Sequence, residues 1–275
     1  MKPINELLEF CIVNLDKPAG FSSHQACDRV RKILKANKAG HTGTLDYQVT
    51  GVLPILLNKT TRLSNYFMKK DKVYIGKMYI HKDISELALK KIMKEFVGKI
   101  NQKPPRRSSV KRVMRERTVN SFKILKKDGK TVSFSADVEA GTYIRKLVSD
   151  LGEKIGGAHM IELRRTKAGI FDIKKSFTLE QIELAVAEYE KGNEKPLRKI
   201  LIPAEIIKEI IPPVEVKEEI VKRLLNGSPI FKEYLKEKVK TDKISVFCKD
   251  KLIGIYKKVD EGRIIAWPEV VFNNN

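Results

Sequence analysis

Cysteine is scarce in this chain and shows no pattern. Cys11, Cys27 and Cys248 are odd in number, and none belongs to a Cys-x-x-Cys pair. That argues against a disulfide framework or a thiolate zinc site and fits a reducing compartment. Long apolar runs are missing as well; no stretch approaches the roughly 18 residues that a membrane-crossing helix needs. The opening MKPINELLEF has neither the basic nor the apolar block of a signal peptide. A soluble intracellular protein is expected, cytoplasmic, or nucleolar if the source is eukaryotic. Acidic residues are the third shortage: 34 Asp and Glu face 55 Lys and Arg, a net charge of +21. The deficit is uneven. Residues 204–275 hold 14 basic and 12 acidic side chains, which leaves 41 and 22, a net of +19, for residues 1–203. Each Lys or Arg that neutralises a phosphate releases condensed counterions, so a surface this positive favours a polyanionic partner. The N-terminal three quarters is expected to meet it.

What is present reads as strands interleaved with helices. Residues 12–15 form a short strand, broken by Asp16-Lys17-Pro18-Ala19-Gly20. Ser22 and Ser23 can cap a helix through about Lys35, with Ala26, Val30, Ile33 and Leu34 on one face. Residues 39–51 read as a loop leading into a buried strand over 52–57. A strand over 73–80 precedes a helix started by a capping box of Asp83 and Glu86. Strands over 121–126 and 131–138 meet at Asp128-Gly129, a hairpin signal, and Val132, Phe134, Ala136 and Val138 alternate with polar residues. Helices are expected from about Thr142 to Ile155 and over about 178–190. Between 192 and 213 the texture shifts to Gly, Pro and charge, which puts a domain boundary near 200–212. Beyond it come one helix, about 216–226, and short strands. The fold class is α+β, with a large domain over 1–203 and a small β-rich one over 204–275.

The densest chemistry lies in Ala39-Gly40-His41-Thr42-Gly43-Thr44-Leu45-Asp46. Two glycines and two threonines around a histidine make a loop whose backbone can approach a ligand closely. Alone, a carboxylate in such a loop is usually a cap or turn former. Over 103–117, Lys103, Arg106, Arg107, Lys111, Arg112, Arg115 and Arg117 face only Glu116. A charge run is usually a solvated face, but Pro104-Pro105 and the embedded serines favour a shaped RNA-binding loop.

Five segments, in order, resemble the TruB/dyskerin family of pseudouridine synthases. They are NLDKPAGFSSH at 14–24, AGHTGTLDYQVTGVLP at 39–54, DKVY at 71–74, EAGTYIRKL at 139–147 and HMIELRRTKAG at 159–169. QKPPRRSSVKRVMRERTV at 102–119 is similar to the archaeal and eukaryotic H/ACA branch, and residues 213–272 more faintly resemble a PUA domain. The resemblance implies the pseudouridine synthase fold, a mixed and largely antiparallel sheet flanked by helices. It also implies an RNA isomerase that breaks the N1–C1′ bond of uridine, turns the uracil and joins C5 to C1′. Nothing is oxidised and no group leaves, so no cofactor or metal is expected. By resemblance Asp46 is the catalytic carboxylate and Arg145 its ion-pair partner, an arrangement that favours the ionised form. The pair is expected to be buried. Tyr74 would stack on the flipped uracil, His41 would contact the displaced nucleotide, Lys17 with Pro18 would shape the pocket floor, and Leu163 would wall it. Lys103, Arg106, Arg107, Lys111, Arg112 and Arg115 would grip phosphates while the target base is turned out, at a few kcal/mol. One departure is Tyr47, where the family usually has proline.

The leading reading is the catalytic subunit of an H/ACA ribonucleoprotein, modifying rRNA uridines chosen by a guide RNA. The implied protein partners are a small zinc-binding protein, a glycine/arginine-type β-barrel protein and a kink-turn-binding protein. The alternatives are a stand-alone enzyme of the tRNA T-loop and a non-catalytic RNA-binding scaffold. Intact Asp46, Tyr74 and Arg145 speak against the scaffold.

Overall fold

Apolar alternation and capping residues set most elements of the chain, whose computed structural model describes residues 2–104, 111–235 and 241–273. Helix α1 (Ile4–Glu9) leads into strand β1 (Cys11–Lys17), helix α2 (Ser23–Ile33) and strands β2 (Ala39–His41) and β3 (Thr50–Leu57). Next come α3 (Ser64–Met68), β4 (Lys72–Ile80), α4 (Glu86–Lys94), β5 (Gly98–Gln102), β6 (Arg115–Asp128) and β7 (Thr131–Val138). They are followed by α5 (Ile144–Ile155), β8 (Ala158–Ala168), β9 (Phe171–Asp172), α6 (Leu179–Glu190), α7 (Lys195–Ile200) and β10 (Leu201–Pro203). The C-terminal part holds β11 (Pro213–Glu215), α8 (Glu218–Leu225), β12 (Ile230–Phe231), β13 (Lys243–Cys248), β14 (Lys251–Glu261) and β15 (Ile264–Val271).

The large sheet runs β10-β1-β3-β8-β4-β7-β6-β5, with β2 on β3 and β9 on β8; β11-β13-β14-β15-β12 form a second. Among the described residues, β3 and β8 are the one parallel strand pair of the large sheet, so it is mixed and largely antiparallel. The alternation in β7 works as read: Val132, Phe134, Ala136 and Val138 are buried, in one core with Leu147, Val148 and Leu151 of α5. Each such large side chain contributes about 1.5–3 kcal/mol by leaving water. Ile12, Val52 and Leu56 belong to a second core with Phe247, Leu252 and Ile255, which seats the small sheet on the large one. No described helix is long and apolar enough to cross a membrane.

The central seam of the large sheet is narrow. Strands β3 and β8 pair only at Thr50 with Arg164 and Gly51 with Arg165. Gly51 has φ +105°, and a Cβ there would lie 2.1 Å from the Arg165 carbonyl oxygen, so only glycine permits this contact.

Several local expectations change. The 39–51 segment is not all loop, because Ala39–His41 pairs with β3. Helix α4 is capped by Ser85, whose hydroxyl accepts from the Ala88 N–H; Asp83 instead pairs with Lys127 at 2.9 Å. A hydroxyl adjacent to the first helical residue is the nearer acceptor. Helix α5 begins at Ile144 rather than Thr142, whose hydroxyl donates to the Glu139 carbonyl in the preceding turn. Arg115 and Arg117 belong to β6 and not to a loop. Helix α2 does follow the reading, with a complete capping box between Ser22 and Gln25.

Candidate active site

Asp46 sits in a segment pinned from several sides. The Ser23 hydroxyl, at the start of α2, accepts from the Leu45 N–H at 2.7 Å and donates to the Leu45 carbonyl at 3.0 Å. The Thr42 N–H donates to Pro54, the Gly20 N–H to the Tyr47 carbonyl, and the Val49 N–H closes a turn onto the Asp46 carbonyl. Leu45 and Val49 are buried on either side of the exposed Asp46. The backbone is thus fixed while the carboxylate projects outward.

Arg145, the second residue of α5, meets that carboxylate at 2.6 Å. The two side chains are 52% and 58% exposed, which corrects the expectation of a buried pair. They stand in an open cleft of about 890 Å³. Lining it are Tyr47, Ile75, Ile161, Leu163 and Arg164, among others. Arg164 reaches Asp16 at 2.6 Å and the Thr50 hydroxyl at 3.2 Å, tying β8 to β1 and β3 beside the seam.

Buried cations lie beneath the segment. Lys17, Lys72 and Arg165 are almost wholly buried. The Lys17 amine donates to the carbonyls of Pro18, Phe21 and Tyr47. Arg165 donates to Val52 at 2.7 Å and to Gly43 at 3.1 Å, and Lys72 donates to Met68 and Lys70. Burial, with the Arg165 charge adding, lowers the Lys72 pKa to about 8 and pushes the Lys17 amine down as well. These carbonyls stand where carboxylates would be usual. Neutral dipoles satisfy the hydrogen bonds without cancelling the charge.

The other sequence-based site residues divide. Leu163 is in the cleft. Tyr74 is 8% exposed and belongs to the main core; it follows the strand alternation of Gly76, which pairs with Leu163, and is not among the cleft-lining side chains. His41 is partly buried and accepts the Gly43 N–H on Nδ1; burial, then the charges of Arg165 and His24, pushes its imidazole below the ordinary value. It braces its own segment. Lys17 has three hydrogens and three carbonyl acceptors, so it holds loops together and has no donor left for a substrate. Lys103 and Arg112 line a second hollow of about 590 Å³ that also includes Arg145. Lys111 is exposed and Arg115 half-buried, while Arg106 and Arg107 lie outside the described residues. Sequence reading missed Lys72, Arg164 and Arg165 as individuals, although all three lie inside the quoted motifs. For Arg164 and Arg165, two adjacent arginines within the 159–169 motif were the available signal. Among the described residues, no group of three or more His, Cys, Asp or Glu is placed to hold a metal.

Comparison with known proteins matches most of the chain. The family model described as TruB family pseudouridylate synthase, N-terminal domain, matches residues 31–144. That for the tRNA pseudouridylate synthase B C-terminal domain matches residues 145–208. A protein of Archaeoglobus fulgidus named "Probable tRNA pseudouridine synthase B" is 39% identical over 92% of this chain and 80% of its own. One of the same name from Methanopyrus kandleri is 42% identical over 82% and 68%. Among solved structures, a chain of a Cbf5-Nop10-Gar1 complex superposes with a TM-score of 0.89 at 35% identity, covering 98% of this chain and 87% of that one. A chain of an H/ACA RNP bound to a substrate RNA containing 2′-deoxyuridine gives 0.89 at 34%, covering 99% and 88%.

Proposed function

The chain belongs to the TruB family of pseudouridylate synthases, and on that premise we propose that Asp46 performs the isomerisation of RNA uridines selected by an H/ACA guide RNA. The observation that carries the assignment of Asp46 is its 2.6 Å ion pair with Arg145 in an open cleft. A carboxylate can open the N1–C1′ bond by attacking the base or the sugar, or by taking a sugar proton, and each route needs it ionised and reachable. The guanidinium holds the carboxylate in place, and the exposure supplies reach. The N1–C1′ bond breaks, the uracil turns, C5 bonds to C1′, and the C5 proton leaves as N1 gains one. In this reading Leu163 meets the extruded uracil, while Tyr74, on the core side of β4, supports the strand behind it and reaches the base only if it moves towards the cleft. Lys103 and Arg112, in the hollow that shares Arg145, take flanking phosphates.

The H/ACA assignment is supported by the likeness, over nearly the whole chain, to proteins solved with Nop10, with Gar1 and in an H/ACA RNP. Proteins like those two, together with guide RNA and a kink-turn-binding protein, are the proposed partners, and the second sheet is the proposed guide-RNA anchor. A stand-alone role on tRNA is the second reading, favoured by the names of the relatives. Assaying the protein on tRNA and on guide-matched rRNA, with and without guide RNA and partners, separates them. Pseudouridine in rRNA only with its guide is expected. Product in tRNA alone, without guide, replaces that reading with the second, and no product anywhere sinks both.

A further inference from the structure

Tyr47 follows Asp46 directly, yet its side chain is 53% exposed and lines the same cleft. Its main chain is held hard. The carbonyl accepts both the Gly20 N–H at 3.1 Å and the buried Lys17 amine at 3.3 Å. The ring is therefore presented to solvent from a fixed backbone, and its hydroxyl has no hydrogen-bond partner among the described residues. Ile75 and Ile161, also exposed, line the cleft too; its cations Lys77, Arg145 and Arg164 are each paired with a carboxylate, Glu162, Asp46 and Asp16 in turn. Exposed apolar side chains beside lysine and arginine are a composition that holds single-stranded nucleic acid: the long cations reach the backbone, and flat or apolar side chains take the bases.

We propose that Tyr47 is a base-stacking residue that holds the nucleobase next to the target uridine. This deepens the function proposed above and rests on it. Asp46 and Tyr47 are consecutive, with Cα atoms about 3.8 Å apart, and the nucleotides flanking an extruded uridine stay tied to it by the strand on either side. A uridine presented to Asp46 thus brings its chain neighbour within reach of the next side chain. Two χ angles and a fixed main chain make the ordering cost of the ring small. The interaction reads the presence of a base and not its identity, because every base has a π-face. Tyr47 is a positioning residue here, acting on binding and leaving the chemistry to Asp46.

The test compares wild type, Tyr47→Phe and Tyr47→Ala on an RNA that wild type converts, and on the same RNA carrying an abasic residue on either side of the target. Tyr47→Ala is expected to raise KM roughly 10-fold with kcat within about twofold, while Tyr47→Phe stays close to wild type. An abasic site at one flanking position is expected to raise the wild-type KM by the same factor and to cost Tyr47→Ala nothing more. If the abasic substitution harms Tyr47→Ala as much as wild type, or if Tyr47→Ala matches wild type, the stacking role is overturned while the isomerase reading stands. Failure of wild type on every RNA sinks the isomerase reading instead, and this one with it. Unchanged thermal unfolding of Tyr47→Ala, expected for so exposed a side chain, confirms that the KM change is not a folding defect.

Discussion

Asp46 and Arg145 face each other across 2.6 Å, opposite in charge and more than half exposed. Beneath the same segment Lys17, Lys72 and Arg165 are like-charged, almost fully buried and bonded to backbone carbonyls. Exposed charges cost little to keep ionised and are screened, so an ion pair there adds little stability. Buried charges are expensive to maintain and persist only where hydrogen bonds hold them. The contrast separates two tasks. The outer pair is free to react, and Lys17 and Arg165 fix the backbone from which it reacts.

The largest effect should come from the outer pair. Asp46→Asn keeps the shape and removes the charge, so product formation is expected to fall at least about 10³-fold, some 4 kcal/mol in the barrier. RNA affinity and unfolding free energy should change little, within about 0.5 kcal/mol for the latter. Residual turnover near wild type would break the comparison outright.

Arg165→Met tests the inner set. It strips donors from the Val52 and Gly43 carbonyls, each worth about 1–3 kcal/mol if left unpaired, and partly offsets that by removing repulsion from Lys17 and Lys72. A net loss of about 2–4 kcal/mol in urea unfolding is expected. No loss would mean that the buried guanidinium supports nothing.

Lys72→Met sharpens the point through pH. The folded value of Lys72, about 8, lies below its ordinary 10.5. Between those two values the unfolded chain keeps a proton that the folded chain has released, so this group makes wild-type stability rise with pH. From pH 7.5 to 10 the stability of wild type relative to Lys72→Met should grow by on the order of 2 kcal/mol. A difference that stays flat across that range would show that burial of this amine carries no such cost.

The smallest effect belongs to the hollow beside Arg145. Lys103→Glu with Arg112→Glu is expected to weaken RNA binding roughly 10-fold at moderate salt and to flatten the logarithmic salt slope by about 2. Stability should hold. Loss of folding instead of binding would place these two with the inner cations.

Much of this was legible in advance where local chemistry decides. The Ser22 cap, the Asp128-Gly129 turn and the alternating burial of β7 depend on residues close in sequence. The Asp46–Arg145 pairing was legible only through motif resemblance, since 99 positions separate the two. Strand β2 was missed because three residues with two neighbouring glycines carry little strand propensity until β3 lies alongside. The exposure of Asp46 was misjudged for a related reason: a flanking buried strand does not say which way the turn before it points.

The sequence by itself determined the charge asymmetry, the order of the motifs, the α+β class and the presence of a carboxylate in a glycine-rich segment. Only the tertiary structure decided that Lys17, Lys72 and Arg165 converge under that segment, that Gly51 must be glycine, and that Tyr47 faces the cleft. Composition and periodicity report what each residue can do near its neighbours. Convergence of distant side chains depends on strand order and register, which long-range packing alone sets.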